Sequence, residues 1–213
     1  MPNLPISQLP QATSLTGNEL FPIVQNGVTK HTSLTSVNYV PGNNYGLFTQ
    51  TANSTPVSGS AVETTLVNGG VGTLSVPANG FIVGDSFRAI IGGVMSAANN
   101  QTIRVKVKAG SVILADSGVQ SLTNAIVNDV FSVNIDFTIR TLGIAGVASI
   151  VSLGTFHYTK TSNNTVQGFS FNTVNNTTFD TTISNTLDVT VQWGSNNAGN
   201  TIYSDIFILN KTF

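Results

Sequence analysis

The sequence contains no cysteine, which excludes disulfides, thiolate nucleophiles and cysteine-ligated metal sites. Charge is nearly as scarce. Only 8% of the 213 residues are Asp, Glu, Lys or Arg, against roughly 25% in an average soluble protein. Nine acidic and eight basic side chains leave a formal net charge of −1, so there is no electrostatic footprint for nucleic acid or for an anionic membrane. The two histidines, His31 and His157, lie too far apart to make a local metal motif, and no cofactor is expected. No apolar run approaches the roughly 20 residues that span a bilayer. The opening Met1-Pro-Asn-Leu-Pro5 lacks the basic start and apolar stretch of a secretory signal, so the expectation is a product made in a cytoplasm with no export address.

What remains is Asn, Thr, Ser and Gly for polarity, and apolar residues in short alternating runs. Neutral amides and hydroxyls repel copies of the same surface weakly, which suits a protein that lives inside an assembly. They suit a carbohydrate-facing surface equally well. Phe131, Val133, Ile135, Phe137 and Ile139 alternate with Ser132, Asn134, Asp136, Thr138 and Arg140, the signature of a strand with one wet face. Ile103, Val105 and Val107 alternate with Arg104, Lys106 and Lys108, and Leu187 to Trp193 repeats the pattern. Strands are predicted over 62–67, 72–76, 85–94, 102–108, 112–116, 130–140, 147–158, 166–171, 186–193 and 201–209, with a turn or bulge at Leu142-Gly-Ile-Ala-Gly-Val-Ala148. So many short antiparallel strands in some 150 residues predict an all-β sandwich, most simply a jelly roll.

The last predicted strand differs from the others. Counted by twos, Ile202, Ile206 and Ile208 fall on one side and Tyr203, Phe207 and Leu209 on the other. A strand apolar on both faces needs a second cover. Either a loop covers it within the chain, or Tyr203, Phe207 and Leu209 form a subunit interface in which three or more copies meet about an axis.

Residues 1–37 read as a separate segment. Asn26-Gly27 between Ile23-Val24-Gln25 and Val28-Thr29-Lys30 predicts a two-residue type I′ hairpin, because both central residues need positive φ. Thr16 three residues before Glu19 has capping-box spacing, and Pro22 limits any helix there to about one turn. Ile6, Leu9, Pro10, Leu15, Leu20, Ile23 and Val24 supply apolar surface too small to bury itself, since an isolated hairpin is marginal in water. Residues 38–59, rich in Pro, Gly, Asn and Ser, read as an extended linker, and 60–213 as the main domain.

Ile6-Ser-Gln-Leu-Pro10, Leu15-Thr-Gly-Asn-Glu-Leu20 and Pro22-Ile-Val-Gln-Asn-Gly-Val-Thr29 together resemble a short module at the head of tailed-bacteriophage fibre and virion proteins. Ser75 to Phe87, Arg104 to Ala115 and Leu187 to Ser195 followed by Asn200-Thr-Ile202 resemble a jelly roll of the tumour-necrosis-factor type found at the ends of viral fibres. The resemblance implies a homotrimeric virion structural protein, a short fibre or head decoration. Residues 1–37 would anchor it to other virion proteins of the capsid or tail, and the heads would contact the host surface. The alternative is a carbohydrate-binding, lectin-like module.

An enzyme would need a convergent set of acid, base or nucleophile residues. Asp136, Asp188 and Asp205 fall on predicted strands and could pair for glycoside cleavage only if brought to the right separation. Acidic residues are few and unclustered, and no nucleophile elbow accompanies His157, so no enzyme is expected. Gly69-Gly70 and Gly92-Gly93 open no helix with a lysine and read as turns or bulges. The Arg104, Lys106, Lys108 stripe reads as a solvated face, or else as a contact for an acidic partner. Trp193, on the apolar side of its strand, reads as core rather than as a sugar-stacking ring. The turns 97–101, 162–165 and 195–199 carry amides suited to sugar hydroxyls, though the same residues are ordinary turn formers.

Overall fold

The computed structural model describes residues 20–33, 45–67, 74–161 and 164–213. The chain divides into two units, Met1–Asn43 and Asn44–Phe213. In the first, β1 (Leu20–Gln25) and β2 (Val28–Ser33) form an antiparallel hairpin in register from Leu20↔Ser33 to Gln25↔Val28. Asn26 and Gly27 carry φ of 54° and 74°, as a type I′ turn requires. Leu20, Val24 and Val28 are exposed on it. Ile6, Leu9, Pro10 and Leu15, like the capping-box residues Thr16 and Glu19, lie outside the described residues.

The second unit is all-β, with no helix among the described residues. Its strands are β3 (Tyr45–Thr49), β4 (Val57–Ser58), β5 (Thr64–Thr65), β6 (Leu74–Val76), β7 (Ser86–Ala97), β8 (Thr102–Ala109), β9 (Val112–Asp116), β10 (Gln120–Ser121), β11 (Ile126–Thr141), β12 (Ser149–Lys160), β13 (Thr165–Asn175), β14 (Asn185–Trp193) and β15 (Thr201–Lys211). The larger sheet runs β13-β12-β11-β7-β15-β3, with β4 also on β15. The smaller runs β10-β8-β14-β5, with β6 on β14 and β9 on β8. The chain crosses between the sheets from β4 to β5, from β6 to β7 to β8, from β10 to β11 and from β13 to β14 to β15. Set aside the β12–β13 hairpin, and the order is that of a jelly roll, extended on one edge by that hairpin.

The core is the set of inward residues that alternation picks out. Ile103, Val105 and Val107 of β8 and Val189, Val191 and Trp193 of β14 face Ala89, Ile91 and Met95 of β7 and Phe131 to Ile139 of β11. Trp193 is 1% exposed and its indole N–H donates to the Val57 carbonyl at 3.3 Å, so it is core, as its position on the strand predicts. Phe131, Phe156 and Phe169 stack across three strands with ring centroids 5.7 and 5.0 Å apart. At roughly 25 cal/mol per Å² of apolar surface removed from water, these rings dominate the stability of that edge.

Two expectations change. Residues 45–59 are not a linker. β3 and β4 pair with β15, from Tyr45↔Lys211 to Ile202↔Val57, and Ser54 is buried, its amide donating to the Ser204 carbonyl at 2.8 Å. The composition that suggested an arm conceals two short strands on a sheet edge. The alternation of β15 also breaks. Its register with β7 shifts between Ser204 and Ile206, a β-bulge that adds one residue and reverses the faces beyond it. Ile202, Ser204, Phe207 and Leu209 point inward, whereas Tyr203, Ile206 and Ile208 face out. Phe207 is 2% exposed within a single chain, so neither it nor Leu209 can line a subunit axis. Gly93 permits the bulge. A Cβ there would lie 2.0 Å from the Tyr203 carbonyl oxygen, so the doublet Gly92-Gly93 is a bulge seat.

Candidate functional site

The two sheets turn different outer faces to their surroundings. On β7 and β15 of the larger sheet, Ile90, Val94, Tyr203, Ile206 and Ile208 lie outward as neighbours. Register places Tyr203 beside Val94 and Ile208 beside Ile90. Ile206, opposite Gly92, is 52% exposed. The apolar character continues through Val130 on β11, Leu153 on β12 and Val166 and Val174 on β13, all exposed. Arg88 and Asp136, paired at 2.7 Å, make the main charged contact on this face and are about half exposed.

The outer face of the smaller sheet carries every charge of its stripe in a pair. Arg104, Lys106 and Lys108 alternate along β8, and Gln192, Thr190 and Asp188 of β14 lie directly opposite them. Glu63, arriving from the segment before β5, accepts bonds from Lys106, from Lys108 at 2.9 Å and from the Thr190 hydroxyl at 3.0 Å. Those bonds, Lys106 first, hold its carboxyl at about 2, well below the usual carboxylate range. Arg104 donates Nε to Asp116 Oδ1 at 2.8 Å and Nη2 to Oδ2, which lowers the Asp116 pKa as well. The Thr65 hydroxyl donates to Asp188 at 2.5 Å. Three cations thus face three carboxylates, and the basic stripe is internally neutralised. It is not a landing strip for an acidic partner.

The expected catalytic candidates do not converge. Asp136 is taken by Arg88 on one sheet, Asp188 lies on the other, and Asp205 is exposed at the bulge. His157 is exposed opposite Gly168, with Ser132 as its other cross-strand neighbour. Among the described residues no group of three or more His, Asp or Glu side chains could hold a metal.

The ends of the sandwich also differ. Tyr45, where the chain comes in, pairs with Lys211 beside the start of β7. At that end Ile82, Val83, Leu142, Ile144, Val147, Ile183 and Phe213 are exposed. At the far end lie the turns after β7 and after β14, which the sequence picked out for their amides; of the third such turn, Ser162 and Asn163 lie outside the described residues. The first two are tied together. Gln101 Oε1 accepts from Asn200 Nδ2 at 3.0 Å and from the Ser195 hydroxyl, and Asn200 Oδ1 accepts the Ala98 amide at 3.1 Å.

Beside this far end a surface depression of about 280 Å³ opens over the smaller sheet. Ala61 and Val119 stand on its sides, and Thr102, Arg104, Gln192 and Gly194 form its floor. A second, of about 390 Å³, lies by His157 and Gly168 on the larger sheet. A void of about 30 Å³ is lined almost wholly by apolar side chains such as Phe81, Phe137 and Phe179, and belongs to the core. Sequence reading missed the 280 Å³ depression because its residues come from four separated segments.

No protein-family model and no curated protein matches the sequence. Several solved structures bear a distant likeness, two of them as follows. Lectin UEA-II complexed with galactose is 10% identical over 67% of this chain and 78% of its own, with a TM-score of 0.29. The CBM2 module of the Lactobacillus casei BL23 phage J-1 evolved Dit is 9% identical over 65% and 67%, with a TM-score of 0.28. What is established for this chain is an antiparallel all-β sandwich preceded by a small hairpin unit.

Proposed function

We propose that the chain is a virion structural protein of the tailed-phage fibre type, a short homotrimeric fibre or head decoration. Residues 1–37 are its attachment to capsid or tail, and the jelly roll is its exposed head. The observation that carries the reading is the unfinished outer face of the larger sheet. Ile90, Val94, Tyr203, Ile206 and Ile208 form an apolar patch at mid-sheet, where an isolated monomer has every reason to place polar residues. Copies of the chain fit it best, because the patch is flat at Gly92 and its main ion pair is already closed, so copies meet with little like-charge repulsion. The separate hairpin unit, with Leu20, Val24 and Val28 exposed, supports the attachment role, since a free sugar-binding module has no use for it.

Removing residues 1–37 leaves β3 to β15 intact and tests the attachment. The truncated head should fold and self-associate as the full chain does, yet be missing from purified particles. Normal incorporation would rule out the anchor role.

A further inference from the structure

The depression between Ala61 and Val119 has the makings of a ligand site, and the chemistry around it is specific. Arg104 and Gln192 are a directly opposed cross-strand pair on its floor, and Thr102 is the next outward residue along β8. Each retains unused hydrogen-bonding capacity. Arg104 spends two of its five N–H groups on Asp116. Gln192 donates Nε2 to the Ala61 carbonyl at 2.9 Å, which fixes the amide's orientation and leaves its oxygen without a partner among the described residues. Thr102 contributes a hydroxyl that both donates and accepts. Gly194 keeps the floor open, because a Cβ there would meet Thr102 Oγ1 at 2.0 Å.

The walls are apolar and fixed. Val119 is 67% exposed and presents its methyl groups beside the polar floor. The Ala61 amide donates to Asn196 Oδ1 at 2.6 Å, which ties that wall to the turn after β14. Charge selects the ligand. Asp116 balances Arg104, and Glu63 together with Asp188, which lies opposite Lys108, balances Lys106 and Lys108, so the site has no net positive field to attract a phosphate or a carboxylate. Donors and acceptors alternating over a short span, beside an apolar wall, match vicinal hydroxyls and the C–H face of a sugar ring.

We infer that this depression is a binding site for a neutral glycan, with Thr102, Arg104 and Gln192 bonding its hydroxyls and Val119 covering its apolar face. The site sits at the end of the head opposite Tyr45, and on the sheet facing away from the proposed subunit interface, so assembly leaves it open. Its biological sense, contact with a host surface, rests on the virion reading; the binding itself does not.

The test is the full-length protein on an array of neutral and acidic oligosaccharides, followed by titration of the best binder against variants. Neutral glycans should bind, and Gln192→Ala and Val119→Ser should each weaken binding by about tenfold. Val119→Ser alters only an exposed side chain, so its loss cannot be ascribed to misfolding. His157→Ala, in the other depression, should change nothing. An array with no neutral binder, binding confined to acidic glycans, or binding lost in His157→Ala and kept in Val119→Ser would each overturn the site. A failed array leaves attachment untouched, since particle incorporation judges that separately.

Discussion

The outer faces of the two sheets follow opposite rules. On the smaller sheet, β8 and β14 turn out Arg104, Lys106, Lys108, Asp188, Thr190 and Gln192, and segments from elsewhere in the chain bring Glu63, Asp116 and Thr65 to satisfy them. On the larger sheet, β7 and β15 turn out Ile90, Val94, Tyr203, Ile206 and Ile208, and nothing among the described residues of the head covers Ile206. One face is complete in the monomer. The other leaves apolar side chains such as Ile206 exposed in the single chain.

The sharpest way to break this comparison is on β15 itself, where neighbouring residues belong to different surfaces. Phe207→Asp places a carboxylate in the monomer core and removes a buried ring. Its cost should exceed the roughly 3–5 kcal/mol of losing a buried phenylalanine, and the chain should fail to fold. A folded Phe207→Asp monomer by circular dichroism would contradict the bulge and the faces it assigns.

A smaller effect separates the ion pairs of the two sheets. Lys211 and Asp85, at the end of the larger sheet, meet at 2.5 Å with side chains 14% and 6% exposed. Lys211→Ala leaves Asp85 buried without its partner and should cost about 3–5 kcal/mol in denaturant unfolding. A loss within a few tenths would mean that the pair is as dispensable as a surface one.

Glu63 should give the least. Its pKa is lowered from 4.5 to about 2 by its lysine partners, so its contribution is full above pH 4.5 and vanishes as pH falls toward 2. Glu63→Gln should therefore cost about 1 kcal/mol near neutral pH and almost nothing near pH 2. A difference from wild type that stays constant across that range would refute the pairing.

How much of this was legible in the sequence depends on distance along the chain. Alternation is local, so β8, β9, β11 and β14 could be read directly, and Asn26-Gly27 announced its hairpin. Trp193 could be assigned to the core from the phase of its own strand. The outer face of β15 could not be read, because one inserted residue exchanges the faces and counting by twos carries the error to the end. Two signals marked the bulge: polar Ser204-Asp205 inside an apolar run, and Gly92-Gly93 far upstream, where the bulged backbone needs room. The pairing of Glu63 with β8 joins residues 43 and 45 positions apart, and no pattern within either segment reveals it. β3 and β4 were hidden by composition, since edge strands this short need little apolar sequence.

The central claim is that the outer face of β15 joins subunits, and Ile206 is its most direct probe. By sedimentation equilibrium the full-length wild type should have three times the 22.3 kDa mass of the chain. Ile206→Asp, at an exposed position, should sediment as a monomer with an unchanged circular dichroism spectrum. A wild type that is monomeric, or an Ile206→Asp variant that remains trimeric, would contradict the account.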